Sequence, residues 1–193
     1  MKVNMIVSSI IQMRVGRYEQ GLRDMIAYID KRSPIKNMRL LEIGAYTGES
    51  TAIFCQNFKT VVTVDPFLDD YDGSDRVCSE GVPMSAIYAE FCARMGRYNN
   101  YELIKKKSDD AIQELMNNPV VHCFDVVYID GMHQYEQVKK DILNYRALVL
   151  KGGFVAGHDY ANSWLGVKKA VDEVYGEPDM VFIDESWVVR KGT

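Results

Sequence analysis

Leu40-Leu41-Glu42-Ile43-Gly44-Ala45-Tyr46-Thr47-Gly48-Glu49-Ser50 is the stretch from which the fold can be read. It opens with the apolar run 39–43, which has the length and character of a buried strand. A glycine loop follows, and 50–58 then reads as a helix. Gly44 can take backbone angles closed to other residues, and Gly48 lets the loop approach a ligand closely. The start of the helix offers N–H groups to a carboxylate or phosphate. Strand, glycine loop and helix in this order form the opening unit of an α/β sheet that binds ligands at its carboxyl edge.

Working outward, the same alternation continues. Before the loop, 21–31 carries Leu22, Met25, Ile26 and Ile29 at helical spacing, and Ser33-Pro34 stops it. After the loop, 60–64 is a second strand closed by Asp65-Pro66, 84–97 a helix, 101–106 a third strand and 109–116 a helix. The run 124–129 is the most β-branched strand, 135–150 a long helix, 153–156 a fifth strand and 164–175 a helix. Strands at 181–183 and 187–190 close the chain, joined by a turn. Strands alternating with helices imply a parallel sheet covered on both faces. The last two strands lack an intervening helix, so they are expected to pair antiparallel. The expectation is one domain over residues 1–193, with 1–33 as a helical extension or lid.

Composition narrows the function classes. The chain has 193 residues, 47% hydrophobic and 26% charged, as an ordinary globular domain does. A net charge of −4 lacks the basic face that a nucleic-acid binder carries. Lys105-Lys106-Lys107 is the one local basic run, and it reads as a solvated strand end. None of the four cysteines forms a C-x-x-C pair, so no zinc or redox motif is present. Cys55, Cys92 and Cys123 sit in apolar stretches and read as buried thiols, which favours the cytoplasm. The start has no cleavage pattern, and no run approaches the roughly 20 apolar residues of a membrane span.

Residues 67–83 depart from the short-loop norm, with Asp69, Asp70, Asp72, Asp75, Glu80, Gly73 and Gly81. Two readings stay open: a solvated acidic loop, or a lid over the ligand.

The ligand side rests on a pair of features. Asp65 ends the second strand about 20 residues beyond the glycine loop, where a carboxylate can accept hydrogen bonds from ribose hydroxyls. Taken alone, Asp65 would equally be a turn former before Pro66. The glycines have the form G-x-x-x-G, whereas a dinucleotide loop uses the closer G-x-G-x-x-G pair around a pyrophosphate. S-adenosylmethionine has no phosphate, so this spacing favours a methyltransferase over a dehydrogenase.

The segment Glu42 to Ser50 resembles motif I of the class I S-adenosylmethionine-dependent methyltransferases, and its Gly-Ala-Tyr opening is similar to the catechol O-methyltransferase group. Val61–Asp65, Phe124–Asp130 with Gly131-Met132-His133-Gln134-Tyr135, and Gly152-Gly153 through His158-Asp159-Tyr160 resemble a bacterial small-molecule group that includes macrolide-sugar O-methyltransferases. The match runs in order from Leu40 to Val171. It implies a doubly wound, Rossmann-like, mostly parallel seven-stranded sheet with a C-terminal antiparallel hairpin. It implies that S-adenosylmethionine is bound by Glu42, Gly44, Ala45, Tyr46, Gly48, Ser50, Asp65, Ser108, Asp109 and Asp130. Relatives carry Gly-Asp-Ser after the third strand, where adenine is contacted. This chain has Lys106-Lys107-Ser108, so Asp109 is the carboxylate left to serve there.

For the chemistry, Asp130, His133, His158 and Asp159 all fall at or just past strand C-termini, on the edge where ligands bind. Two carboxylates and an imidazole can hold a divalent cation, with substrate oxygens completing the shell. The resemblance maps metal ligands onto Asp130, His158 and Asp159 and the catalytic base onto His133. His158 departs from the carboxylate or amide usual in those relatives, so whether the ion is magnesium stays open. The bland alternatives are a strand-ending Asp130, a helix-capping His133 and a structural His158-Asp159 pair. His122 lies at the opposite edge and reads as structural. Tyr46, Tyr160 and Trp164 are pocket candidates or core.

The function expected is methyl transfer to a small molecule, at a hydroxyl oxygen, because a base and a metal suit an oxygen nucleophile. Asp130 is a second candidate catalytic residue. The partner expected is a small-molecule acceptor, with no nucleic acid and no membrane; a homo-oligomer stays open. The rivals are an NAD-dependent oxidoreductase and a non-catalytic methyltransferase-fold binding module. An amino-methylating nucleic-acid enzyme would carry Asn/Asp-Pro-Pro-aromatic where this chain has Asp130-Gly131-Met132-His133.

Overall fold

The computed structural model describes residues 13–69, 82–117 and 123–192. His122, Cys78, residues 1–12 of the N-terminal extension and 70–81 of the acidic segment lie outside the described residues.

In chain order the elements are α1 (Arg17–Asp30), a 3-10 turn (Ile35–Asn37), β1 (Arg39–Ile43), α2 (Glu49–Asn57), β2 (Thr60–Val64), α3 (Met84–Met95), β3 (Tyr101–Ile104) and α4 (Ser108–Asn117). Then come β4 (Phe124–Ile129), α5 (Tyr135–Tyr145), a 3-10 turn (Arg146–Leu148), β5 (Val149–Gly157), α6 (Leu165–Tyr175), β6 (Met180–Val181) and β7 (Trp187–Arg190). These strands form one seven-stranded sheet in the order β3-β2-β1-β4-β5-β7-β6. The first five strands in that order are parallel. β7 runs antiparallel to β5 and β6 and is inserted between them. The mostly parallel seven-stranded sheet with a closing antiparallel hairpin is therefore present, as the sequence predicts.

Period-two alternation on strands apolar throughout explains the two covered faces. Leu40, Val61 and Val126 point to one side, with α1, α2 and α3 over them through Leu22, Phe54 and Phe91. Their successors Leu41, Val62 and Val127 point to the other, under α4, α5 and α6 through Ile112, Ile142 and Val171. α1 buries Leu22, Met25, Ile26 and Ile29, the spacing of a single helical stripe. Each such side chain stabilises the fold by roughly 1.5–3 kcal/mol when fully buried.

Some boundaries differ from expectation. The helix expected over 135–150 ends at Tyr145, and β5 begins at Val149, not Gly153. Val149 pairs with Phe124, the register shifts between Phe124 and Val126, and Gly152 takes φ 78°. The glycine pair thus lets the strand pass an irregularity instead of marking its start. β3 stops at Ile104 because the Lys106 N–H turns back to the Ile104 carbonyl at 2.9 Å. The strand expected over 181–183 is confined to Met180–Val181, since Phe182 and Ser186 close a turn through a 2.8 Å backbone bond.

Cys55 is buried, but Cys92 and Cys123 are exposed, contrary to their reading as buried thiols. α3 turns Met84, Ile87, Phe91 and Met95 inward, which leaves Cys92 off that stripe. No helix among the described residues is long and apolar enough to cross a membrane.

Candidate active site

The strand order reverses between β1 and β4, which are neighbours although β2 and β3 intervene in sequence. Crevices at such switch points hold ligands in open α/β sheets. Both strands end there in a locked geometry. The Asp130 N–H donates to the Ile43 carbonyl at 2.8 Å, and the Gly44 N–H donates to Val64 at 2.8 Å. Gly44 takes φ 92°, Tyr46 φ 47° and Gly48 φ 77°, so the loop curls through three left-handed positions before α2. A Cβ on Gly48 would stand 2.9 Å from the Phe91 ring, which is why α3 can close against the loop.

Two carboxylates shape this loop from within. Asp65 Oδ2 accepts the N–H groups of Ala45 at 2.9 Å and Tyr46 at 3.0 Å, and Oδ1 accepts that of Phe67 at 2.8 Å. Burial raises the Asp65 pKa, and these three amides and Lys105 oppose the rise. Asp65 therefore fixes the loop as well as standing at the ribose position of the resemblance. Glu42 is fully buried and accepts Ser50 Oγ and Thr51 Oγ1 at 2.5 Å each and Thr63 Oγ1 at 2.9 Å. Burial pushes its pKa up to about 7 against those hydrogen bonds. Glu42 and Ser50 thus bond to each other beneath the loop. Arg94 Nη1 ties α3 to the loop by donating to the Thr47 carbonyl at 2.5 Å.

Ser108 and Asp109 follow β3 at the first turn of α4. Ser108 is buried, its Oγ accepts from Gln137 Nε2 at 3.1 Å, and its carbonyl accepts Tyr145 Oη at 2.7 Å. Asp109 pairs with Lys140 at 2.7 Å, which holds its pKa below the ordinary range. Neither joins the acid–histidine group described next.

β4 and β5 are adjacent and in register, with Ile129 opposite Gly157. This brings Asp130, His133, His158 and Asp159 together. His133 Nε2 lies 3.0 Å from Asp159 Oδ2, and His158 Nδ1 lies 3.0 Å from Asp159 Oδ1 and 3.8 Å from Asp130 Oδ1. Asp159 takes φ 61°, a left-handed angle that turns its carboxylate between the two imidazoles. Burial would raise its pKa, but the two histidines outweigh that and lower it well below the ordinary range. His158 moves the other way: burial and Arg14 pull its pKa down, while Asp130 and Asp159 lift it above the ordinary value. Trp164 stacks on His133 with ring centres 4.1 Å apart, whereas Tyr160 turns outward to Asp172 and Lys168.

Asp130, His158 and Asp159 each offer a ligand atom within 4.8 Å of the others. One ion with bonds of roughly 2.0–2.6 Å can span that donor set.

Two neighbours of this cluster escape the sequence reading. The Arg14 guanidinium pairs with Asp130 Oδ2 through Nη2, which also lies 3.2 Å from Tyr128 Oη, and Nη1 stands 3.6 Å from Asp184 Oδ2. Asp184, in the turn before β7, is fully buried and lies 3.9 Å from His158 Nε2. It fits because α1 has Gly21 there: a Cβ on Gly21 would stand 2.1 Å from Asp184 Oδ1. An aspartate in a hairpin turn is read as a turn former, and no local pattern marks either residue.

A methyltransferase-domain family model matches residues 41–160, which takes in the glycine loop, Asp65 and the acid–histidine cluster. The chain belongs to this methyltransferase-domain family and has the fold of the class I S-adenosylmethionine-dependent methyltransferases. A curated relative, uncharacterized protein R132 of Acanthamoeba polyphaga mimivirus, is 26% identical over 126 residues, covering 64% of this chain. The chain spans about half the length of that relative, 52%. Among solved structures, the TDP-rhamnose 3'-O-methyltransferase CalS11 of calicheamicin biosynthesis superimposes with TM-score 0.64 at 15% identity, covering 98% of this chain and 87% of CalS11. An O-methyltransferase from Bacillus cereus in complex with SAH gives 0.63 at 16% identity, covering 98% and 88%. The O-methyltransferase NovP gives 0.65 at 19% identity, covering 90% and 79%.

Proposed function

We propose that this chain transfers a methyl group from S-adenosylmethionine to a hydroxyl oxygen of a small-molecule acceptor. The observation that carries the reading is the His133–Asp159 pair, 3.0 Å apart, beside Asp130 at the strand end against which the glycine loop is locked. A base and a cofactor loop therefore meet at one point of the sheet edge.

The cofactor would lie across the carboxyl ends of β1 and β2. Gly44, Ala45, Tyr46 and Gly48 form the loop under its amino-acid end, Asp65 stands at the ribose position, and Ser108 and Asp109 at the adenine end. Glu42 and Ser50 act from beneath, by holding the loop's shape. When bound, the cofactor supplies an electrophilic methyl carbon on a sulfonium. The acceptor oxygen attacks that carbon, the C–O bond forms as the C–S bond breaks, and the oxygen's proton passes to His133. Asp159 stabilises the resulting imidazolium, and Asp130 orients the acceptor hydroxyl. Holding oxygen and methyl at near-attack distance supplies much of the rate. Asp130, His158 and Asp159 would be the ligands of a divalent cation, which would orient the acceptor and lower its hydroxyl pKa.

The feature of this chain that favours an oxygen acceptor is its own: an imidazole, His133, paired to the Asp159 carboxylate, an arrangement suited to taking a hydroxyl proton. Hydride transfer with NAD has no comparable support, because the loop lacks the close glycine pair that cradles a pyrophosphate.

Isothermal titration calorimetry tests the reading. S-adenosylmethionine is expected to bind in the micromolar range, with no comparable binding of NAD. Asp65→Ala is expected to weaken that binding by about 1.5–3 kcal/mol per lost charged hydrogen bond. Tight NAD binding without S-adenosylmethionine binding ends the proposal.

A further inference from the structure

The acid–histidine cluster contains three carboxylates, Asp130, Asp159 and Asp184, and the first and last of them pair with one guanidinium. Arg14 reaches them from a short strap ahead of α1. The Met13 and Arg14 N–H groups donate to Glu49 Oε2 at 2.7 and 2.8 Å, so the strap is pinned to the first turn of α2, directly behind the glycine loop. The side chain then crosses to the ends of β4 and β7. It is nine-tenths buried. Its Nη1 is buried without a hydrogen-bond partner, and so is His158 Nε2. Both atoms face the cluster near Asp184, at 3.6 and 3.9 Å.

We propose that Arg14 is the resident cation of this cluster, and that its guanidinium and a divalent metal ion are mutually exclusive occupants of the Asp130 carboxylate. The inference builds on the assignment of Asp130, His158 and Asp159 as the acceptor-side donors. Three arguments carry it. Asp130 Oδ2 is taken by Arg14, and Oδ1 faces His158, so an ion entering between Asp130 and Asp159 must displace the guanidinium or stand beside it. Two cations side by side at partly buried carboxylates repel strongly in a medium of low dielectric. Asp130 and Asp184 both lie against Arg14, so removing the guanidinium leaves two largely buried carboxylates without their compensating charge, which a divalent ion could supply. The strap therefore decides whether the site works with its own fixed charge or with a metal. Arg14 is a positioning residue here: it holds the Asp130 carboxylate and neutralises it.

The test is Mn2+ binding, read by calorimetry on the full chain. Arg14→Met keeps most of the side-chain volume and removes the charge; it is expected to bind Mn2+ at least fivefold more tightly than the wild type. Arg14→Lys retains the charge and is expected to gain less than that. The gain must vanish when Asp130→Asn is combined with Arg14→Met. A gain below fivefold in Arg14→Met, an equal gain in Arg14→Lys, or a gain that survives Asp130→Asn each overturns the proposal. Should Arg14→Met fail to fold, Glu49→Ala decides instead, because it removes the oxygen that accepts both strap N–H groups without touching the cluster: it too must gain Mn2+ affinity, and an unchanged value overturns the idea. S-adenosylmethionine is titrated into the same samples. Its failure to bind the wild type bears on the proposed function, and the Mn2+ series alone bears on Arg14.

Discussion

The backbone of Gly44 lies against the carbonyl of Asp130: a Cβ added to Gly44 would stand 1.9 Å from that oxygen. The glycine loop and the acid–histidine cluster are thus in backbone contact at the point where the strand order reverses. A side chain at Gly44 would have to part β1 from β4 and would also occupy φ 92°.

Gly44→Ala is accordingly expected to combine left-handed strain with overpacking and to destabilise the fold by about 2–5 kcal/mol. Thermal and urea denaturation measure this. An alanine variant as stable as the wild type would show that the two strand ends are not locked together as described.

His133→Ala is expected to lower kcat by roughly 10²–10⁴ while leaving S-adenosylmethionine affinity little changed. The imidazole bonds to Asp159 and stacks on Trp164, whereas the loop is held by Asp65, so the substitution leaves the loop's own hydrogen bonds in place. Single-turnover methyl transfer and calorimetry on the same protein separate the two effects. Unchanged kcat would move the base to another residue.

Glu42 makes stability depend on pH in a defined direction. Burial raises its folded pKa to about 7, whereas the unfolded chain releases that proton near the ordinary value of about 4.3. Between those values the folded state binds more protons, so stability falls as pH rises through the window. The loss is on the order of 4 kcal/mol for the whole window at about 1.36 kcal/mol per pKa unit. Glu42→Gln removes this titration, so its stability relative to the wild type should improve from pH 4.5 to pH 7.5. Denaturant midpoints across that range decide it, and a constant difference would place the Glu42 pKa in its ordinary range.

Much of the sheet was legible because its strands are short β-branched runs cut off by glycine or aspartate. β1, β2, β4 and β7 fall on the residues expected, since Gly44, Asp65, Asp130 and the turn before Trp187 mark their ends. The end of α5 was not legible. Leu148-Val149-Leu150 continues an apolar helical pattern, and only pairing with Phe124 makes it a strand. The convergence of Asp130, His133, His158 and Asp159 followed from strand adjacency alone. Arg14 and Asp184 did not, because no periodicity, spacing or motif links residues that meet only after the whole sheet has closed. The sequence reading placed Glu42 and Ser50 among the cofactor contacts; what it did not foresee is that Glu42 accepts from Ser50, Thr51 and Thr63 at once beneath the loop.

The ion pair between Arg14 and Asp130 spans 116 positions of the chain. Each strand–helix–strand unit can form from neighbouring residues, but this pair must wait until a long loop has been brought together, at an entropic cost that grows with loop length. Contacts of high sequence separation slow folding. The charge balance of the crevice therefore rests on a long-range contact: a chain in which the segment ahead of α1 has not docked lacks the guanidinium against Asp130.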